Sequence, residues 1–220
     1  MAASLPIVVV ISRARRTGDI MVGSSAGWHQ GRATISGDTT MADAAMPRRL
    51  VLLRHAKSSW AEPGLDDSER PLAPRGERAA GVIAAQLVKR KLQPDRVLCS
   101  TAKRTRETWN RIRPVLVNLP EEVLEPELYL AEPATIFGRI QKTPPRVNTL
   151  LVIGHNPGLQ RLAVSLVERI DADLAETIRA KFPTAAMLAL VFEAADWSGL
   201  SGAPLEVLAY DTPRTLGEVD

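Results

Sequence analysis

Arg48-Arg49-Leu50-Val51-Leu52-Leu53-Arg54-His55 is an unbroken apolar run between charged residues, ending on an Arg-His pair. Four consecutive apolar residues read as a strand buried on both faces, the pattern of a parallel sheet covered by helices. A second run, Thr149 to Ile153, is followed by Gly154-His155-Asn156-Pro157. The chain has only three histidines, and two of them stand directly after these strands. Side chains at the C-terminal ends of such strands line the crevice where open α/β sheets build their sites.

Between and beyond these strands the chain alternates. A polar loop from Ala56 to Pro74 carries the turn signal Pro63-Gly64, and a helix is expected over Glu77 to Lys91 from the spacing of Ala80, Ile83, Ala84 and Leu87. A strand at Arg96 to Cys99 precedes a helix at Thr101 to Arg113, with Ser100 as its cap. Val123 to Leu128 reads as a short strand interrupted by Pro126, and Pro133 to Gln141 as a helix. After Ile153, Asn156 is expected to cap a helix with Pro157 at its first position, running to about Ile170. Strands at Ala186 to Glu193 and Leu205 to Tyr210, joined by a turn-rich link, read as an antiparallel hairpin. The expected fold is α/β: a three-layer sandwich with a mostly parallel central sheet, helices on both faces and a C-terminal antiparallel hairpin. Neither GxGxxG nor GxxxxGK[ST] occurs.

Composition narrows the function classes. The chain has 220 residues, 45% hydrophobic, with a net charge of +3. Arginine supplies 22 of the 28 basic residues, and its planar fork suits phosphate oxygens. The positive charge is spread without a basic run, so no nucleic-acid partner is expected. No apolar stretch reaches membrane-spanning length, so no membrane partner is expected either. Cys99 is the single cysteine, read as a small buried residue, and the expected setting is a reducing cytoplasm. Leu5 to Ile11 is apolar, but Arg13, Arg15 and Arg16 follow it, the reverse of a secretory signal. Residues 1–47 are expected to be a disordered extension, or to lie upstream of a true start at Met41 or Met46. His29, within them, is expected to do nothing catalytic.

A neutral imidazole can attack phosphorus and carry the phosphoryl group. His55 is placed for that role. The transferring group spreads negative charge over its oxygens and calls for fixed positive charge around it. Arg54 is adjacent, Arg104 lies one turn into the helix after the second strand, and His155 sits at another strand mouth. The helix starting near Asn156 would add backbone N–H groups aimed at an anion. Lys57 and Ser58 either touch phosphate oxygens or shape the loop. Asp67, Arg70 and Arg75 suit an internal ion-pair arrangement better than substrate contact.

These stretches, LVLLRHAKS with DDSERPLAPRG, VLCSTAKRTRET and LLVIGHNPGL, resemble the histidine phosphatase superfamily, whose fold is shared with cofactor-dependent phosphoglycerate mutases. Within it the likeness is to the SixA-type phosphohistidine phosphatases, and it runs from about Arg48 to the C-terminus, a domain of residues 48–220. The resemblance implies a catalytic core of Arg54, His55, Arg104 and His155, with His55 as nucleophile, and hydrolysis without a metal or other cofactor. Arg54, Arg104, His155, Lys57, Ser58 and Asn156 would bind phosphate.

Ala56 stands where many members of the superfamily have glycine; alanine is small enough and occurs in SixA-like chains. No counterpart of the mutase-type acidic motif is evident. Glu127 and Glu132 are the nearest candidates for a proton donor, with solvated charges as the plainer reading. An ester leaves as a basic alkoxide and needs a proton, whereas a phosphohistidine leaves as imidazole, whose conjugate acid has a pKa of about 6.5. The expected function is therefore a cytoplasmic, monomeric phosphatase acting through a phosphohistidine intermediate on phosphohistidine in a protein. A small-molecule phosphomonoesterase acting on a small phosphate compound, and a non-catalytic phosphate-binding regulator, are the alternatives.

Overall fold

The computed structural model describes residues 45–217, together with two short strands near the N-terminus, β1 (Val22–Ser24) and β2 (Gly27–His29). These two pair antiparallel, Val22 opposite His29 and Ser24 opposite Gly27. The remaining expectations for residues 1–44, disorder or an upstream start, lie outside the described residues. The chain divides into two units at Met41 and Ala42.

The larger unit is built on β3 (Met46–Arg54), which begins two residues before the boundary expected at Arg48. The elements that follow are α1 (Pro74–Lys89), β4 (Arg96–Ser100), α2 (Lys103–Ile112), β5 (Glu121–Glu125), α3 (Pro133–Gln141) and β6 (Thr149–Gly154). Then come α4 (Gly158–Val167), α5 (Ala172–Ala180), β7 (Met187–Ala194) and β8 (Glu206–Asp211). The six strands lie in the order β5-β4-β6-β3-β7-β8. The first four run parallel, and β7 and β8 add an antiparallel edge.

Alternation along the strands divides the core. Leu50, Leu52 and Val152 face α3, α4 and α5, packing with Ile136, Leu162 and Ile178. Val51, Leu53, Leu151 and Ile153 face α1 and α2, packing with Ile83, Leu87 and Trp109. These β3 and β6 residues are fully buried, which is why the runs carry no polar residue on either face. The expected three-layer α/β sandwich is the observed one.

Arg48 closes one end of the sheet. It is buried, and its guanidinium donates to the carbonyls of Ala194, Ala195, Pro145 and Val147. It thereby ties the start of β3 to the end of β7 and to the loop entering β6. Its hydrogen bonds go to carbonyl oxygens, and the nearby Asp196 carboxylate opposes part of the effect of burying the charge.

Several boundaries differ from the sequence expectation. Helix α1 starts at Pro74, three residues early, because proline fits a first turn that needs no N–H. A Cβ on Gly76 would lie 2.1 Å from the Lys57 carbonyl oxygen, so only glycine lets this turn pass the loop. Helix α2 is capped at Ala102, without a side-chain cap bond, and Ser100 ends β4 instead. Strand β5 stops at Glu125, since Pro126 cannot donate to a ladder and opens a 3-10 turn. Helix α4 begins at Gly158 with Pro157 outside it, and Asn156 does not cap it. The helix expected to reach Ile170 ends at Val167, and a separate helix, α5, follows.

Helix α5 was not expected, although Asp171 is a readable start signal: its carboxylate accepts from the Leu174 N–H at 2.9 Å. Asp171→Ala should cost about 1 kcal/mol, the usual worth of such a cap, in urea unfolding, with activity retained. An unchanged midpoint would show that α5 is held by packing alone.

Candidate active site

Parallel pairing of β3 and β6 brings the two histidines together. Leu53 pairs with Ile153 and Arg54 with Gly154, and the ladder continues as the His55 N–H donates to the Gly154 carbonyl at 3.1 Å. Both imidazoles therefore emerge at one level from adjacent strand ends, with ring centroids 5.1 Å apart. His55 Nδ1 lies 2.8 Å from the Ala56 carbonyl oxygen. A carbonyl only accepts, so Nδ1 carries the proton and Nε2 keeps its lone pair. The Ala56 N–H donates to Thr108 Oγ1 of α2 at 3.0 Å, anchoring the segment just after the nucleophile candidate.

His155 is almost fully buried, and its Nε2 lies 2.8 Å from Ser100 Oγ. Its Nδ1 has no hydrogen-bond partner among the described residues. Arg54 Nη1 donates to the Phe182 carbonyl at 2.8 Å, and Asn156 Nδ2 donates to the same oxygen at 3.0 Å. Arg54 Nε is also buried without a partner. Unsatisfied buried polar atoms are costly, and the Arg54 Nε–H beside a histidine pair suits a site that receives an anion.

Arg104 enters from α2. It is buried, and its guanidinium donates to the Asp67 carbonyl at 2.5 Å and to Asp67 Oδ2 at 2.8 Å. Tyr129 donates its hydroxyl to the same carboxylate oxygen at 2.8 Å, and its ring stands edge-on to His155 at 5.4 Å. Asp67 thus clasps Arg104 and Tyr129 together. Burial raises the Asp67 pKa, but the hydrogen bonds from Tyr129 and Arg104 outweigh it and the net shift is downward. The carboxylate is held ionised.

Both histidines are pushed the other way. Burial, with the charges of Arg104 and Arg54, lowers the His55 pKa to about 4, although the Ala56 carbonyl opposes it. Burial, then His55 and Arg104, lower that of His155 to about 3. Both are therefore neutral at physiological pH. An unfolded chain takes up these protons near pH 6.5, whereas the folded protein does not until about pH 4 or below. Stability contributed by the neutral histidines is complete above pH 6.5 and is lost as pH falls from there toward 4. An NMR titration of the imidazole nitrogens should find His55 neutral down to about pH 4. A midpoint near 6.5 would mean that the ring is neither dry nor flanked by arginines.

The other sequence candidates are placed differently. Lys57 is exposed, and its backbone carbonyl accepts from Ala73. Ser58 bridges Leu72 across the loop. Asn156 is tied to Gln160 and Phe182, which steadies the arginine side of the site. Glu127 and Glu132 are exposed and paired with Arg139 and Arg161. Asp67 and Arg70 form the expected ion-pair arrangement, with 4.0 Å between Arg70 Nε and Asp67 Oδ1. Cys99 is buried and its thiol pKa is pushed up to about 12 by burial and then Glu122, leaving it inert. Sequence reading missed Tyr129 and Ser100 as neighbours of His155. By sequence Ser100 reads as a helix cap, and nothing in its spacing marks Tyr129. Among the described residues, no group of three or more His, Cys, Asp or Glu side chains could hold a metal ion, and no helix is long and apolar enough to cross a membrane.

Residues 50–128, which include His55 and Arg104, match the family model of the histidine phosphatase superfamily, branch 1. An uncharacterized protein of Mycobacterium tuberculosis is 37% identical over 164 residues, covering 74% of this chain and all of its own length. The chain belongs to the histidine phosphatase superfamily. An uncharacterized Mycobacterium leprae protein is 34% identical, with the same coverage. Among solved structures, one from Nakamurella multipartitia that carries the SixA name superposes with a TM-score of 0.67 at 28% identity, covering 78% of this chain and 99% of that one. Another of that name, from Agrobacterium tumefaciens, gives 0.64 at 28% identity, covering 76% and 99%. The superfamily member described here is thus of the SixA type, and its chemistry is that of a phosphatase.

Proposed function

We propose that this phosphatase transfers a phosphoryl group from phosphohistidine to His55 Nε2 and then to water. The observation that carries the proposal is the tautomer of His55. With Nδ1–H committed to the Ala56 carbonyl, the Nε2 lone pair is left for phosphorus, and the depressed pKa keeps it unprotonated. In the first step an Nε2–P bond forms as the substrate N–P bond breaks, and the substrate ring, already protonated on its other nitrogen, keeps the bonding pair and leaves as neutral imidazole. In the second step water attacks the same phosphorus, His55 leaves, and inorganic phosphate is released. Arg54 and Arg104 offset the charge of the group, the task a metal ion performs elsewhere, while the neutral His155 ring stands beside His55. Asn156 acts through Arg54 by sharing the Phe182 carbonyl, whereas Lys57 and Ser58 hold the loop.

The acid–base inventory supports nitrogen over oxygen as the leaving atom. Glu127 and Glu132 face solvent and pair with arginines, and Asp67 is held ionised by two donors. None of these three carboxylates is a poised acid. Imidazole leaves well without one, whereas an alkoxide does not. The lone buried cysteine suits a reducing compartment, which supports the cytoplasmic setting.

A series of aryl phosphates of rising phenol pKa tests this reading. Turnover should fall as the phenol becomes more basic, and phosphohistidine should rank with the fastest substrates. A flat series with poor phosphohistidine turnover would instead support a phosphomonoesterase, and Glu127→Gln and Glu132→Gln would then identify the donor.

A further inference from the structure

Asp67 sits where three elements meet. It opens a 3-10 turn (Asp67–Glu69) in the loop between β3 and α1. Its Oδ2 accepts from Arg104 Nη2 of α2 and from the Tyr129 hydroxyl, each at 2.8 Å, and its backbone carbonyl accepts from Arg104 Nη1 at 2.5 Å. One residue thus takes both terminal nitrogens of the guanidinium, one through its side chain and one through its backbone. Bonds to the two ends of a planar fork fix its tilt as well as its place. Tyr129 follows the turn after β5, so the third bond ties this grip to the ring that stands against His155.

The charges around Arg104 explain why such a grip is needed. Burial first, and then the charge of Arg104, lowers the Arg54 pKa, so the two guanidiniums feel each other. Arg70 adds a third cation, with its Nε 4.0 Å from Asp67 Oδ1. Arg104 itself is only 4% exposed. A poorly hydrated cation among like charges holds its position only against a counter-ion. The Asp67 carboxylate is bonded to it and kept ionised. An ionised carboxylate beside an anion site also repels incoming phosphoryl oxygens. A group kept there despite that repulsion serves the arginine rather than the substrate.

We propose that Asp67 is a positioning residue of the phosphoryl transfer, acting through Arg104: it orients the guanidinium toward the group on His55, and Tyr129 holds Asp67 in turn. The inference rests on the reading of Arg104 as a donor to that group. Aligned donors matter most where charge develops, so misalignment lowers the rate more than it weakens ground-state binding. The repulsion from Asp67 acts in the opposite sense on binding, because it bears on any phosphate that enters the site. Removing the charge should therefore separate the two effects.

Asp67→Asn tests this with phenyl phosphate as substrate and inorganic phosphate as competitive inhibitor. The amide keeps the shape and the backbone carbonyl and loses the charge. Its kcat should fall at least about tenfold, while KM and the inhibition constant for phosphate stay the same or fall. Tyr129→Phe removes only the outer bond and should lower kcat by about threefold, again without a rise in KM. In an Arg104→Ala background, Asp67→Asn should change kcat by less than about twofold, because its effect passes through that arginine. Wild-type kcat in Asp67→Asn, a rise in KM without a fall in kcat, or a tenfold loss that persists in the Arg104→Ala background would overturn the inference. Arg104→Ala protein with wild-type kcat would instead overturn the reading of Arg104, and this inference with it.

Discussion

His55→Ala should eliminate the phosphoenzyme and lower kcat by on the order of ten-thousandfold or more, the scale seen when a nucleophile is removed. The reason lies in the absence of a substitute. Among residues 45–217 the other imidazole is His155; its Nε2 is engaged with Ser100, and its Nδ1 is buried. Water could still attack substrate held by Arg54 and Arg104, so a small residual rate is compatible with the mechanism. The measurement is a rapid quench at neutral or alkaline pH after mixing with radiolabelled substrate, since phosphohistidine is lost in acid. The label should appear on wild-type protein and not on the variant. Among the described residues the buried His55 ring hydrogen-bonds only to the adjacent Ala56 carbonyl, so the variant should remain folded. Label surviving at the wild-type level would assign the nucleophile to another residue.

What was legible in the sequence was whatever depends on pattern. The runs Leu50–Leu53 and Leu150–Ile153 are apolar because both sheet faces are covered, and strand ends follow from where those runs stop. The ends of those runs place His55 and His155 at strand mouths without any tertiary information. The parallel register that sets them side by side is a tertiary fact, decided by strand order. The helix boundaries failed where local rules compete. Ser100 and Asn156 are good caps by composition, yet Ser100 turns to His155 and Asn156 to Phe182 and Gln160. Residues that serve a site break the rule that would otherwise place them. Tyr129 was invisible for a simpler reason: it reaches His155 from a turn after an edge strand, and no periodicity encodes that contact. The acidic residues show the opposite case. Sequence offered Glu127 and Glu132 as donors only because they lie in the middle of the chain, and the arginines that neutralise them come from α3 and α4.

Arg104→Ala should cost about 3 kcal/mol of transition-state stabilisation, roughly a hundredfold in kcat, whereas Arg106→Ala should cost little. Both are arginines on α2, but Arg104 is buried in the Asp67 clasp and Arg106 is exposed. Arg104→Lys should recover only part of the loss, because an ammonium cannot reproduce the fork that engages Asp67 while donating to phosphate. The clasp itself supplies a second readout. Arg104 contributes to lowering the pKa of both His55 and His155, so its removal should raise both toward 6.5. The acid limb of kcat/KM should then move upward in Arg104→Ala and stay in place in Arg106→Ala. Asp67 is 45% exposed on its side chain, so water can solvate the carboxylate that Arg104 abandons, and the fold should survive. Loss of rate without movement of the histidine titrations would separate Arg104 from the imidazoles and assign it to structure. Equal losses at Arg104 and Arg106 would mean that the face of α2 turned toward the site is not the one described here.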